Sequence, residues 1–279
     1  MGSVPLVTLT TDFGTADGYV GVMKGVVLGI APDARLVDIT HWIGAQNVRE
    51  AAYVLYAAYG YFPRHTVHLA VVDPGVGGER RPIALRTAAG TFVGPDNGLF
   101  SYVAVREPVE EAVELADPRY HLPTVSQTFH GRDVFAPAAA HLAAGVRLAD
   151  LGPAVTDLVT LPPPRLDVTA EQIVGEVVHV DRFGNCVTSV GRLAWEAYCL
   201  VLTPAFSPGT APVQLGAGST VIAGGQEIAG LRQTYGHVAP GEVLALVGSG
   251  AHLEIAVREG SAAEMLGIGA GDAVAIRLA

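Results

Sequence analysis

A chain of 279 residues can build one large domain or two smaller ones, and with 50% hydrophobic against 16% charged residues it is globular rather than disordered. The formal charge of −10 excludes a nucleic-acid binder with a basic face, and the apolar runs are too short and interrupted to span a membrane. Cys186 and Cys199 are too few for a disulfide framework or a thiolate zinc site and read as small buried hydrophobes; with no basic leader, a cytoplasmic location follows by default.

The first 160 residues alternate short apolar runs with helical patterns. Val4 to Thr11 reads as a strand, and Tyr19, Val20, Met23, Val26, Val27 and Ile30 form a helical stripe that stops before Pro32. Arg35 to Thr40 is the next strand. Asn47, with Glu50 three residues on, caps a helix through Tyr59. Thr66 to Asp73 is a third strand, Ile83 to Val93 a hairpin, and Phe135 to Ala144 an Ala-rich helix. Strands alternating with helices predict a mostly parallel α/β sandwich. Pro162-Pro163-Pro164 then interrupts the pattern, so the expected organisation is an α/β domain over 1–160, a proline-rich linker over 161–171 and a smaller domain over 172–279. Short strands at Ile173 to Val180, Cys186 to Val190, Leu200 to Thr203, Val243 to Gly248, Leu253 to Val257 and Ala273 to Leu278 suit an antiparallel β-barrel.

Chemistry-bearing residues gather at the ends of these elements. Asp12 ends the first strand, where an ionised carboxylate accepts two hydrogen bonds from a vicinal diol, or equally caps the following segment. Asp73 ends the third strand and opens Pro74-Gly75-Val76-Gly77-Gly78, a turn from which Arg80 can fold back towards the carboxylate. His130, before the Ala-rich helix, titrates near neutrality and suits a general base or a water-orienting group, whereas Asp133 reads as a first-turn helix acid. Gly94 to Leu99 has the composition of a turn. In the β domain, Asp181, Phe183 and Asn185 share one loop suited to an amino group, a flat ring and a heterocycle edge. Ser249 lies between glycines whose bare amides can hold a carboxylate.

Six segments together resemble one family: Thr10-Thr11-Asp12-Phe13-Gly14, Val72-Asp73-Pro74-Gly75-Val76-Gly77, Gly94-Pro95-Asp96-Asn97-Gly98, Thr128-Phe129-His130-Gly131-Arg132-Asp133, Phe183-Gly184-Asn185 and Leu253-Glu254-Ile255-Ala256. They are similar to the S-adenosyl-L-methionine (SAM) hydroxide adenosyltransferases, water-using relatives of the fluorinating and chlorinating SAM enzymes. The resemblance implies an α/β N-terminal domain, a C-terminal β-barrel, and a homotrimer with SAM held between neighbouring subunits. It implies that Asp12 grips the ribose hydroxyls, that Asp73, Arg80 and His130 hold and activate water, and that Phe129 belongs to the substrate pocket. Asp181 and Ser249 match contacts to the methionine end, and Phe183 and Asn185 match contacts near adenine. Water would displace methionine at the ribose 5′ carbon, giving adenosine and L-methionine without metal or other cofactor. Gln46 stands where the halogenating relatives carry Trp, Gly250 where they carry Arg, and Asp73 where they carry Tyr. Two other readings stay open: a metal-dependent hydrolase using Asp38, His41, Asp73 and His130, which lacks a His-x-x-x-His or comparable spacing, and a non-catalytic SAM or nucleoside sensor.

Overall fold

The computed structural model describes residues 4–196, 199–207, 210–216 and 218–278. It divides into two compact units, Met1–Leu161 and Pro162–Ala279.

In the first unit, β1 (Leu6–Thr11), α1 (Tyr19–Ile30), β2 (Arg35–Thr40), α2 (Val48–Ala58), β3 (Val67–Val71), β4 (Pro82–Thr87), β5 (Gly90–Pro95), α3 (Ser101–Arg106), β6 (Val109–Glu114) and α4 (Ala136–Ala143) follow in chain order. The sheet runs β2-β1-β3-β5-β4-β6. Pairing is parallel from β2 to β5, and β4 runs antiparallel to β5 and β6. The central strands β1 and β3 are almost wholly buried, as a sheet covered on both faces requires. α1 and α4 pack together over Val7, Leu9, Leu69 and Val71. Strand alternation gives α2 and α3 the opposite face, where Tyr59 meets Phe92 edge-on. The Asn47 side chain accepts from the Glu50 amide at 3.1 Å, satisfying an orphan donor of α2.

Strand order reverses between β1 and β3, because β2 lies on one side of β1 and β3 on the other. Ligands of open α/β sheets bind outside the carboxyl ends of the strands at such a point. The register pairs Thr11 with Val71, so Asp12 and Asp73 leave the sheet at the same edge.

Several expectations need correction. Tyr19 is half exposed rather than a core member of its stripe, because it starts α1 beside the sheet edge. A π turn, Gly131–Phe135, precedes α4 and moves the start of helical backbone ahead of Phe135. The Gly94 to Leu99 turn leads into α3, too short for its periodicity to show, and β6, whose Val109-Glu110-Glu111-Ala112-Val113-Glu114 does not alternate apolar and polar residues.

In the second unit, β7 (Leu166–Val168) forms within the proline-rich stretch and pairs with β8 (Gln172–Val180). Then come β9 (Cys186–Gly191), β10 (Leu193–Glu196), β11 (Cys199–Leu202), β12 (Val213–Leu215), β13 (Thr220–Ala223), β14 (Gln226–Ala229), β15 (Leu231–Arg232), β16 (Val243–Val247), β17 (His252–Val257), α5 (Ala262–Leu266) and β18 (Ala273–Arg277). The main sheet follows β14-β13-β18-β8-β9-β17-β16-β15, and β14 returns to touch β16, nearly closing a barrel around Ile173, Val190, Leu253, Ile255 and Ile276. Its pairs are antiparallel except β15 with β16, and β10 to β12 form a separate sheet. Cys186 is buried, but Cys199 is partly exposed, which corrects its reading as a core residue. Among the described residues no helix is long and apolar enough to cross a membrane.

One buried group ties this fold to pH. His68 in β3 is fully buried, stacks on Phe92 at 4.8 Å, and is pushed down from 6.5 to about 4 by burial. Between these values the unfolded chain takes a proton that native His68 refuses, so stability falls as pH falls through this window. The loss reaches about 3 kcal/mol at its acid end. Urea midpoints measured from pH 7 to 4.5 should therefore fall less steeply for His68→Gln than for the wild type; parallel curves would acquit His68.

Candidate active site

A crevice of about 350 Å³ opens where β1 and β3 end, lined by Asp12, Phe13, Tyr19, Asp73, Phe129 and His130 among others. The loop after β3 turns twice, with the Val76 amide donating to the Asp73 carbonyl and the Gly78 amide to the Gly75 carbonyl. This folding returns Arg80 to Asp73. Arg80 Nε donates to Asp73 Oδ1 at 2.9 Å and a terminal nitrogen donates to Oδ2 at 2.5 Å, a bidentate pair whose side chains are only 9% and 5% exposed. The same terminal nitrogen lies 2.8 Å from His130 Nδ1.

Guanidinium has no acceptor, so His130 Nδ1 must accept and the neutral imidazole carries its proton on Nε2. Burial, followed by the Arg80 charge, pushes the imidazole below its usual pKa, while Asp73 and Asp133 oppose the shift. His130 is thus neutral at pH 7, with an N–H to offer.

The π turn sets the direction of His130. Its buried Asp133 accepts from the Ser126 amide at 2.8 Å and pairs with Arg132 at 2.5 Å, and Ser126 Oγ accepts from the Phe129 amide at 3.1 Å. π bulges often mark functional positions in helices. Gly77, at φ +74°, lets the two loops meet: a Cβ there would lie 2.3 Å from the Gln127 carbonyl oxygen.

Asp12 Oδ2 accepts from the Gln46 amide at 2.8 Å, and Oδ1 has no partner among the described residues. Gln46 reaches this position at φ +64°, an unfavourable conformation for its type and of the kind that accumulates at ligand sites. Phe13, Tyr19 and Phe129 meet at ring-centroid distances of 5.1 to 5.8 Å and give the crevice an aromatic wall.

The second unit has its own cavity of about 680 Å³, lined by Asp181, Phe183, Asn185, Tyr235, Ser249 and Glu254 among others. Asp181 organises its loop: Oδ1 accepts from the Phe183 and Asn185 amides at 2.8 and 3.0 Å, and Oδ2 from Asn185 Nδ2 at 3.0 Å. The loop thereby presents Phe183, 74% exposed, a flat apolar surface suited to a ring.

Both units match models of one family: the SAM hydroxide adenosyltransferase N-terminal domain over residues 7–152 and the C-terminal domain over residues 175–275. The chain belongs to this family. It is 41% identical to the (R)-S-adenosyl-L-methionine hydrolase of Salinispora tropica over 98% of this chain and 97% of that protein. It is 43% identical to the (R)-S-adenosyl-L-methionine hydrolase of Thermus thermophilus over 92% of this chain and 94% of that protein. Among solved structures, an uncharacterized conserved protein from Thermotoga maritima matches with a TM-score of 0.84 and 34% identity, covering 97% of this chain and 99% of that one.

In this SAM hydroxide adenosyltransferase family member, Asp12, Asp73, Phe129 and His130 share the first unit's crevice, with Arg80 bonded to two of them. Asp181, Phe183, Asn185 and Ser249 share the second unit's cavity. Tyr19, Tyr235 and Glu254 also line these spaces and escaped the sequence reading of sites. Tyr19 was disguised by its fit to a helical stripe, and Tyr235 lies in an irregular stretch without a pattern. Glu254 was visible within a motif but carried no local signal of its role. The residues of the metal-hydrolase reading split apart: Asp38 pairs with Lys24 and His41, whereas Asp73 and His130 both face Arg80. Among the described residues no group of three or more His, Cys, Asp or Glu is placed to hold a metal.

Proposed function

We propose that the protein hydrolyses SAM, with water or hydroxide attacking the ribose 5′ carbon to form the C–O bond as the C–S bond breaks. The products are adenosine, L-methionine and one proton. Sulfonium leaves as a neutral thioether, so the leaving group needs no acid. The nucleophile is the difficulty, because free water has a pKa of about 15.7. The observation that carries the reading is the hydrogen-bonded set Asp73–Arg80–His130 at the mouth of the β1–β3 crevice.

In this reading His130 Nε2–H and the Arg80 guanidinium hold the attacking oxygen and stabilise its hydroxide-like charge, while the Asp73 carboxylate accepts the proton. Arg80 cannot act as a base, since guanidinium stays protonated in proteins. Asp12 holds the ribose diol, and Phe129 closes the sugar side. Alignment of the oxygen with the C–S bond supplies much of the rest, because well-oriented reactants recover roughly 7–11 kcal/mol of barrier. Asp181 and Ser249 serve the methionine end, and Phe183 and Asn185 the adenine.

The protein works without metal or cofactor, in the cytoplasm, as a homotrimer in which the first unit of one subunit and the second unit of its neighbour complete each SAM site. A monomeric mass in light scattering at micromolar concentration would refute the assembly. For the reaction, incubation with SAM should yield equal amounts of adenosine and methionine at a rate that EDTA leaves unchanged. Intact SAM, or activity lost to EDTA and restored by a divalent ion, would refute this reading.

A further inference from the structure

The loop from Asp73 to Arg80 holds a bidentate ion pair at its two ends, yet its own composition favours disorder. Pro74-Gly75-Val76-Gly77-Gly78-Glu79 has three glycines in six residues, so its backbone wanders unless both ends are fixed. The topology supplies a place to fix them. The loop leaves β3 and enters β4, and β5 lies between these strands in the sheet, so the loop strides over the end of β5. The turn after β5 begins with Asp96 and Asn97. Of the six segments that carry the family resemblance, theirs alone lines neither the crevice nor the second unit's cavity.

Each of the two residues grips one end of the loop. Asn97 Nδ2 donates to the Val72 carbonyl at 2.9 Å, one residue before Asp73. Asp96 Oδ2 accepts from Arg81 Nε at 3.0 Å and from a terminal nitrogen of Arg81 at 2.6 Å, one residue after Arg80. The Asp96 amide also donates to the Arg81 carbonyl at 2.9 Å. The remaining acceptors are already used. Asp96 Oδ1 takes the Val159 amide at 2.9 Å, and Asn97 Oδ1 takes the Leu99 amide at 3.2 Å. Asp96 is only 4% exposed, and a buried carboxylate with both oxygens paired is not poised to take up a ligand or a proton. Its chemistry is to hold the chain.

Resting on the assignment of SAM hydrolysis to the Asp73–Arg80–His130 set, we propose that Asp96 and Asn97 are positioning residues that clamp the two ends of this loop. Loosening the Val72 end displaces Asp73, and loosening the Arg81 end displaces Arg80 from its 2.8 Å contact with His130. Neither residue lines the crevice, so the contacts that bind SAM stay in place while the water-activating groups lose their alignment.

The test measures kcat and KM for SAM in Asn97→Ala and Asp96→Asn, each in the wild-type background and combined with Asp73→Asn. Asn97→Ala removes the donor to Val72, whereas Asp96→Asn keeps an acceptor for the Val159 amide and weakens the hold on Arg81. Each should lower kcat by about 10- to 100-fold and leave KM within about threefold, because misplacement of about 1 Å can cost 10²-fold. In Asp73→Asn the proton acceptor is already gone, so the same changes should cost at most about threefold there. A merely structural role lowers the folded fraction and would cost the same factor in both backgrounds. Turnover within about threefold of wild type, a loss expressed in KM, or an undiminished loss in Asp73→Asn would overturn the proposal. If one variant fails to fold, the other decides from the opposite end of the loop; failure of both would assign the pair to stability and overturn the proposal. Absence of adenosine from wild type and SAM would instead overturn the reading of the reaction, and this proposal with it.

Discussion

Replacing Asp73 with Asn is expected to lower turnover of SAM by about 10²–10⁴-fold, the usual span for a lost proton acceptor. Asn keeps the shape of the side chain but surrenders the charge that Arg80 holds through two contacts at 2.9 and 2.5 Å. Arg80 must then keep its place through His130 Nδ1 and the Phe135 ring, 5.2 Å from its guanidinium carbon. His130→Ala should cost a comparable factor. The double variant should lose less than the product of the two, because residues acting as a unit are not additive. The pH profile separates chemistry from damage. Protonated His130 cannot accept from Arg80, so activity should fall as pH drops through the imidazole pKa, which lies below the usual 6.5. The Asp73 charge raises that pKa, so Asp73→Asn should move the acid limb to lower pH. An unmoved limb, with turnover within a few-fold of wild type, would remove Asp73 from the reaction.

Gly77→Ala is expected to damage the same set without touching any of its members. At φ +74° an L side chain is strained, and its Cβ would meet the Gln127 carbonyl oxygen at 2.3 Å, a backbone atom that cannot rotate away. Strain and overpacking of this kind each cost roughly 1–3 kcal/mol. Relief requires the loop carrying Arg80 and the loop carrying His130 to separate, which lengthens the 2.8 Å contact between them. Thermal denaturation should show a lower midpoint, and kcat should fall at least about tenfold because misplacement of about 1 Å can cost 10²-fold. Gly14→Ala is the control: it has a similar φ of +64° but nothing within 4 Å of its Cβ position, so it bears strain without the collision. Equal turnover in the two variants would show that loop contact does not matter.

The sequence exposed the parts of this fold that repeat a pattern over many residues. β1 and β3 read as apolar runs ending in carboxylates, and the Asn47 cap announced α2, because those signals are local. α3 was missed because six residues make less than two helical turns, and β6 because Val109-Glu110-Glu111-Ala112-Val113-Glu114 does not alternate; of β10 to β15, two to four residues each, β11 was expected as Leu200 to Thr203 and the others were not. The candidate site was legible as residue types at strand ends, with its roles supplied by a family resemblance. Its hydrogen bonding was not. That Arg80 fixes the tautomer of His130 depends on a separation of 50 residues in sequence and 2.8 Å in space. The burial of Glu254 likewise depends on strands that meet only after folding, and alternation along β17 gives no warning because both faces of that strand are buried.

Asp73 also bears on which nucleophile is used. A carboxylate beside the 5′ carbon repels halide and suits water, and low hydration strengthens that preference. The most direct measurement is hydrolysis of SAM in ¹⁸O-labelled water containing excess chloride, followed by mass spectrometry of the nucleoside. Adenosine carrying ¹⁸O at the 5′ oxygen is the expected product, whereas 5′-chloro-5′-deoxyadenosine, or adenosine without the label, would contradict water attack at the 5′ carbon.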